Sequence, residues 1–191
     1  MDDREKNILE TGDEQAKRQL RMSRESIERM NTDIIDNINA VVYSNATLWI
    51  LGDLGFFKHH DSVQKTIDKI NCKNIYYVMG NHDKYANIHP CVAKTFDQVL
   101  IQVEGQYIVL NHYPMLRWDH SHRGSWNLFG HCHCNVNEWI ENRMPEAKML
   151  DVGVDGHNYK PWSFEEVQAY MDTKKGEGIF EKKEAVWTKE T

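Results

Sequence analysis

Four short stretches hold the side chains in this sequence whose types and spacing best suit chemistry. They are Leu51-Gly52-Asp53-Leu54, Gly80-Asn81-His82-Asp83, Asn111-His112-Tyr113-Pro114 and Gly130-His131-Cys132-His133. Each ends or follows an apolar run of strand character, and each places Asp, Asn or His where the chain should turn. Asp53, Asn81, His112 and His131 together offer one carboxylate, one amide oxygen and two imidazoles. That donor set suits manganese, iron, zinc or nickel. The two oxygens of Asp53 could bridge a pair of ions. His133, two residues beyond His131, reaches the same side if this segment is extended. Paired ions about 3.5–4 Å apart grip a phosphate and lower the pKa of a water between them. His82 needs a separate role. An Asp can hold a His ring so that it protonates a leaving oxygen, which makes His82 the expected general acid and Asp83 its positioner. Taken singly, a Gly-Asp pair after a strand is commonly a turn and a His before Tyr-Pro a loop residue. Four such features in one short chain point to a metal site.

Other residues carry weaker signals. Arg123, in the polar loop Trp118–Gly124, could clamp a phosphate oxygen or form a surface ion pair. Trp118 could stack on a base or cap the core. His59-His60 reads as solvated surface and His157 as structural. Cysteines stand at 72, 91, 132 and 134. A zinc site on Cys132 and Cys134 is a rival reading, but C-x-C alone lacks a second pair at structural zinc spacing.

The bulk properties narrow the function classes. The chain has 191 residues, 40% of them apolar and 27% charged, with a net charge of -6. One domain with a full core is expected over 1–172, with 1–22 as a polar N-terminal segment, a loop or a loose helix, and 173–191 as a charged tail. The acidic balance disfavours stable nucleic-acid binding through a general basic surface. It leaves room for a phosphorylated small molecule or a phosphodiester, since bound metal supplies local positive charge. No apolar run is long enough to span a bilayer. The charged start Met1-Asp2-Asp3-Arg4-Glu5-Lys6 is unlike a signal peptide, so a cytoplasmic protein is expected.

The elements that must position these residues follow from periodicity. Ile27, Met30, Ile34, Ile38 and Val41 recur at helical spacing from Ser23 onward. Thr47–Leu51 and Ile75–Met79 read as buried strands, with a helix at Val63–Ile70 between them, a βαβ unit. Asn87–Lys94, which contains Pro90, reads as a loop or short turn. Gln98–Val103 and Gln106–Leu110 flank the hairpin signal Glu104-Gly105. Ser125–Phe129 and Lys148–Val154 are further strands, and Ser163 with Glu166 forms a capping box for a last helix. A parallel unit followed by hairpin-linked strands predicts an α/β fold with a mixed sheet system covered by helices.

The four stretches, with Met115 and with Asp151-Val152-Gly153-Val154-Asp155 and Pro161-Trp162-Ser163, resemble the calcineurin-like metallophosphoesterases, in particular the small bacterial and phage members. The resemblance spans roughly residues 23 to 170. It implies a four-layer α/β/β/α sandwich of two mixed sheets with two divalent metals at one edge, Mn2+ first among them. It also implies hydrolysis of a phosphoester, with a phosphodiester preferred. In that scheme Asp53 bridges the ions, Asn81, His112 and His131 complete the second, His133 serves the first, and His82 is the acid. The family opens with a strand ending in Asp-x-His, which is not found here. Glu5-Lys6-Asn7-Ile8-Leu9 resembles the segment that follows it. The first metal site is therefore expected to be incomplete, and a catalytically impaired one-metal relative, kept as a binding or scaffold module, is the alternative. The missing first strand also leaves a sheet edge through which copies could associate.

Overall fold

The structure is a computed structural model and describes residues 3–12 and 14–174. Helices α1 (Asp3–Thr11) and α2 (Glu14–Val41) lead into strand β1 (Thr47–Ile50), helix α3 (His60–Ile67) and strand β2 (Asn74–Val78). A short helix α4 (Tyr85–Ile88) and strands β3 (Lys94–Phe96), β4 (Gln98–Val103), β5 (Gln106–Asn111) and β6 (Trp126–Phe129) follow. Helix α5 (Asn137–Arg143), strand β7 (Met149–Asp151) and helix α6 (Phe164–Asp172) complete the order. The result is an α/β architecture with two sheets. One is parallel, ordered β1-β2-β3, and the other is mixed, ordered β4-β5-β6-β7. In the mixed sheet only the β4–β5 hairpin is antiparallel.

Strand alternation separates three cores. On β1 and β2, Leu48, Ile75 and Tyr77 face α2 and α3, where they meet Ile38, Val63 and Ile67. Residues of opposite parity, Trp49 and Val78, face the second sheet and pack with Ile108, Leu110, Trp126 and Leu150. α6 adds Val167 and Met171 to that middle core. On the far side of the second sheet, Val109, Phe129 and Met149 meet Ile140 and Met144 of α5 and its end. The stacking order is thus helix, sheet, sheet, helix. It follows from the period-two alternation that gives each strand two apolar faces.

Several expectations are corrected. The first sheet is wholly parallel among the described strands rather than mixed. Lys94–Phe96, whose first residue falls in the stretch expected as a loop or short turn, is its third strand, three residues long and too short for alternation to register. α2 begins at Glu14 instead of Ser23. Residues 14–22 lack an apolar stripe but are mostly strong helix formers, and Arg24 of α2 reaches Glu5 of α1 at 3.3 Å. Of the two readings of the polar segment 1–22, loop or loose helix, the helical one holds over its described part, as α1 and the start of α2. α5 sits where no helix was expected. The capping box of α6 is formed as expected: Ser163 Oγ accepts from the Glu166 N–H at 3.2 Å, and Glu166 Oε2 accepts from the Ser163 N–H at 2.8 Å. The tail expected at 173–191 lies outside the described residues apart from 173 and 174. No helix among the described residues is long and apolar enough to cross a membrane.

Candidate metal centre

Four parallel strands, β1, β2, β5 and β6, end on the same edge of the two sheets. Their carboxyl ends carry Asp53, Asn81, His112 and His131. This is the edge where open α/β sheets gather ligands. One ligand atom each of Asp53, His112 and His131 lies within 4.8 Å of the others. His112 is the hub and is 1% exposed. Its Nε2 meets Asn81 Oδ1 at 3.0 Å, Asp53 Oδ2 at 3.2 Å and His131 Nδ1 at 3.2 Å.

The other ring nitrogen of His112 sets its chemistry. Nδ1 stands 2.7 Å from the Leu51 carbonyl, an oxygen that can only accept. Nδ1 therefore carries a proton and donates it there, so that in the neutral ring the lone pair is on Nε2. Metal-binding imidazoles are oriented in this way. Nε2 then faces a carboxylate oxygen and an amide oxygen, neither of which has a proton to share. Acceptors turned on one another repel unless a cation lies among them. Bonds of about 2.0–2.2 Å to one ion would set neighbouring ligand atoms roughly 3–3.5 Å apart. The residues present therefore fit a single divalent ion.

Local backbone makes this convergence possible. Gly52 and Asp53 both have positive φ, 94° and 55°, so the chain turns sharply out of β1 and drops the Asp53 carboxylate over β2. His131 is also left-handed, at φ 65°. Non-glycine residues in that region store strain and cluster at functional sites. Gly80 leaves room for the Asp53 carboxylate: a Cβ there would lie 2.2 Å from Oδ1.

A clamp that the sequence did not reveal ties the two ligand loops of the parallel sheet together. Asp83 Oδ2 accepts from the Asp53 N–H at 2.8 Å, the Gly80 N–H at 2.8 Å and the Tyr77 hydroxyl at 2.9 Å. The Tyr77 oxygen in turn accepts from the Leu54 N–H at 2.9 Å. Burial, then the neighbouring Asp83 carboxylate, pushes the Tyr77 hydroxyl far above its ordinary range, so it stays a donor. Asp83 thus holds Asp53 and Gly80, and the expectation that it positions the His82 ring is corrected. Tyr77 lies inside an apolar strand, so nothing in the sequence marks its hydroxyl as part of the site. Tyr77→Phe leaves the Leu54 N–H without its acceptor. It is expected to cost about 1–3 kcal/mol of stability in urea denaturation and to weaken divalent-ion binding as the Asp53 loop loosens.

The remaining candidates are dispersed. His82 is exposed; its backbone N–H donates to Asp53 Oδ1 at 2.9 Å and its ring meets Phe56 edge-on. His133 is not brought into the cluster. Its Nδ1 is 2.5 Å from Asp155 Oδ2. The expectation of a shared face assumed an extended segment, but residues 131–136 form bends and turns, with His133 and Cys134 left-handed at φ 48° and 61°. The buried Asp151 carboxylate pins this turn by accepting from the N–H groups of Cys134 and Gly153 at 3.0 and 2.9 Å. Arg123 is exposed in the 3-10 turn Ser121–Arg123. Among the described residues, no hydrogen bond or ion pair joins it to the cluster. Trp118 is buried and its indole donates to the Ser125 carbonyl at 3.0 Å, so it serves the core. Burial, followed by the Asp151 carboxylate, raises the thiols of Cys132 and Cys134. That works against the thiolate form a zinc site needs.

No protein-family model matches the chain. It is similar to the uncharacterized protein MJ1445 of Methanocaldococcus jannaschii, 29% identical over 140 residues that cover 73% of this chain and 74% of that one. Among solved structures it resembles AQ665, a protein of unknown function from Aquifex aeolicus. The TM-score is 0.58 and the identity 21%, over 74% of this chain and 84% of that one. That likeness is one of fold.

Proposed function

We propose that this protein is a metal-dependent phosphoester hydrolase with the two-sheet architecture of the metallophosphoesterases. The observation that carries the reading is the arrangement around His112. Its Nδ1 proton is held by Leu51, and its Nε2 meets an Asp oxygen, an Asn oxygen and a His nitrogen at 3.0–3.2 Å. A divalent ion held there, Mn2+ first among the choices, supplies Lewis acidity to a phosphoryl oxygen and acidifies a water. The chain's own residues do the rest. Asp53 spans the site, with Oδ2 toward His112 and Oδ1 fixed by the His82 N–H. The exposed His82 ring has no hydrogen bond among the described residues, so its nitrogen is available to give a proton to a leaving oxygen. The substrate on this reading is a phosphodiester or a small phosphorylated molecule.

Chelator-sensitive, Mn2+-restored hydrolysis of bis(p-nitrophenyl) phosphate tests the reading. His82→Ala is expected to lower kcat by about 10²–10⁴-fold with the manganese stoichiometry unchanged; loss of bound metal in that variant would refute its role as acid. One observation favours a second reading. With His133 turned onto Asp155, the ligands gathered suit one ion, as in a binding module of low activity. Manganese binding without turnover on any phosphoester tested would select that second reading.

A further inference from the structure

Two aromatic rings stand open beside the cluster. Phe56, three residues after Asp53, is 84% exposed, and its ring touches the His82 imidazole at a centroid distance of 4.8 Å. Tyr113 follows His112 directly and is 46% exposed. It meets the His112 and His131 rings edge-on at 5.0 and 4.6 Å. Single exposed apolar residues are ordinary on protein surfaces. These two differ in position. One adjoins the Asp53–His82 side of the ligand atoms and the other the His112–His131 side. Phe56 has no polar tip to solvate, and at its exposure most of the ring surface is open. A site that gathers anion-binding chemistry at its centre and bare aromatic rings at its margin suits a ligand with a phosphate at one end and a flat ring at the other.

On the reading that this is a phosphoesterase site, we propose that its substrates are phosphoesters bearing a flat aromatic group, such as a nucleobase, which stacks on Phe56 with Tyr113 bounding the other side. Base-on-aromatic stacking is sequence-tolerant and strong enough to bias binding clearly. The chemistry that recognises such a group is the ring face of Phe56, not a hydrogen-bond code.

The test is equilibrium binding, independent of turnover. Adenosine 5′-monophosphate and ribose 5-phosphate, which differ by the base, are titrated into the manganese-loaded chain by calorimetry. The expected result is binding of the nucleotide about 10-fold tighter or more. Phe56→Ala should bring the two to equal affinity with ribose 5-phosphate and manganese binding unchanged, and Phe56→Trp should restore the preference. Equal binding of both ligands by the unaltered protein overturns the aromatic proposal and leaves the phosphoesterase reading intact. Preference for phosphocholine over the nucleotide also overturns it, in favour of a cationic group held by the rings. Binding of manganese with neither phosphate ligand bound overturns both.

Discussion

Asp53→Asn is expected to abolish measurable divalent-ion binding while leaving the fold in place. The substitution keeps the size of the side chain. Its amide oxygen can still accept the His82 N–H that Oδ1 accepts at 2.9 Å. The negative charge is lost from the oxygen that stands 3.2 Å from His112 Nε2. Removing a partner that merely orients a ligand typically lowers metal affinity 10–100-fold, so removing the only carboxylate of the set should lower it by more than about 100-fold. Calorimetric titration with MnCl2, alongside circular dichroism, checks this. Unchanged manganese affinity in Asp53→Asn would mean that the ion binds elsewhere, and the proposed chemistry would fall with it.

Gly80→Ala and Gly52→Ala are expected to damage stability and ion binding together. A Cβ on Gly80 would sit 2.2 Å from Asp53 Oδ1 and 2.7 Å from the Asp53 nitrogen, so both the carboxylate and the backbone it hangs from must move. That backbone N–H is also held by Asp83 at 2.8 Å, and relief in one place breaks a bond in another. Overpacking of this kind costs about 1–3 kcal/mol. Gly52 is more demanding. A Cβ there would lie 2.4 Å from His112 Nδ1 and 2.8 Å from Gly80 atoms, and its φ of +94° strains any L side chain. The larger loss should therefore fall on Gly52→Ala, because backbone strain adds to the clash. Urea denaturation followed by manganese titration of the folded variants reads both effects. A Gly52→Ala protein with ordinary stability and full ion affinity would show that the Leu51–His112 contact is not what orients the hub.

Much of the scaffold could be read locally. The runs at Thr47–Leu51 and Ile75–Met79 declared their strands by continuous apolar character, and Glu104-Gly105 declared its hairpin. The capping box at Ser163 and Glu166 is a four-residue pattern, satisfied within those four residues. β3 was too short to show a period, and residues 14–22 of α2 showed no apolar stripe, at the end of the helix where Arg24 reaches back to Glu5 of α1.

The amino-acid sequence established which turns carry ligand-type residues, and that Asp53, Asn81, His112 and His131 each close a strand. Those facts depend on neighbours a few positions apart, and local periodicity reports them faithfully. It could not establish which ring nitrogen of His112 is free. That depends on the Leu51 carbonyl, 61 residues away in sequence and 2.7 Å away in space. Nor could it place His133, whose direction reverses with the sign of a few backbone angles set by the buried Asp151, or Asp83, whose carboxylate turned inward to three donors. A residue's type travels with the chain, whereas the direction of its lone pairs is set only where distant segments close on one another.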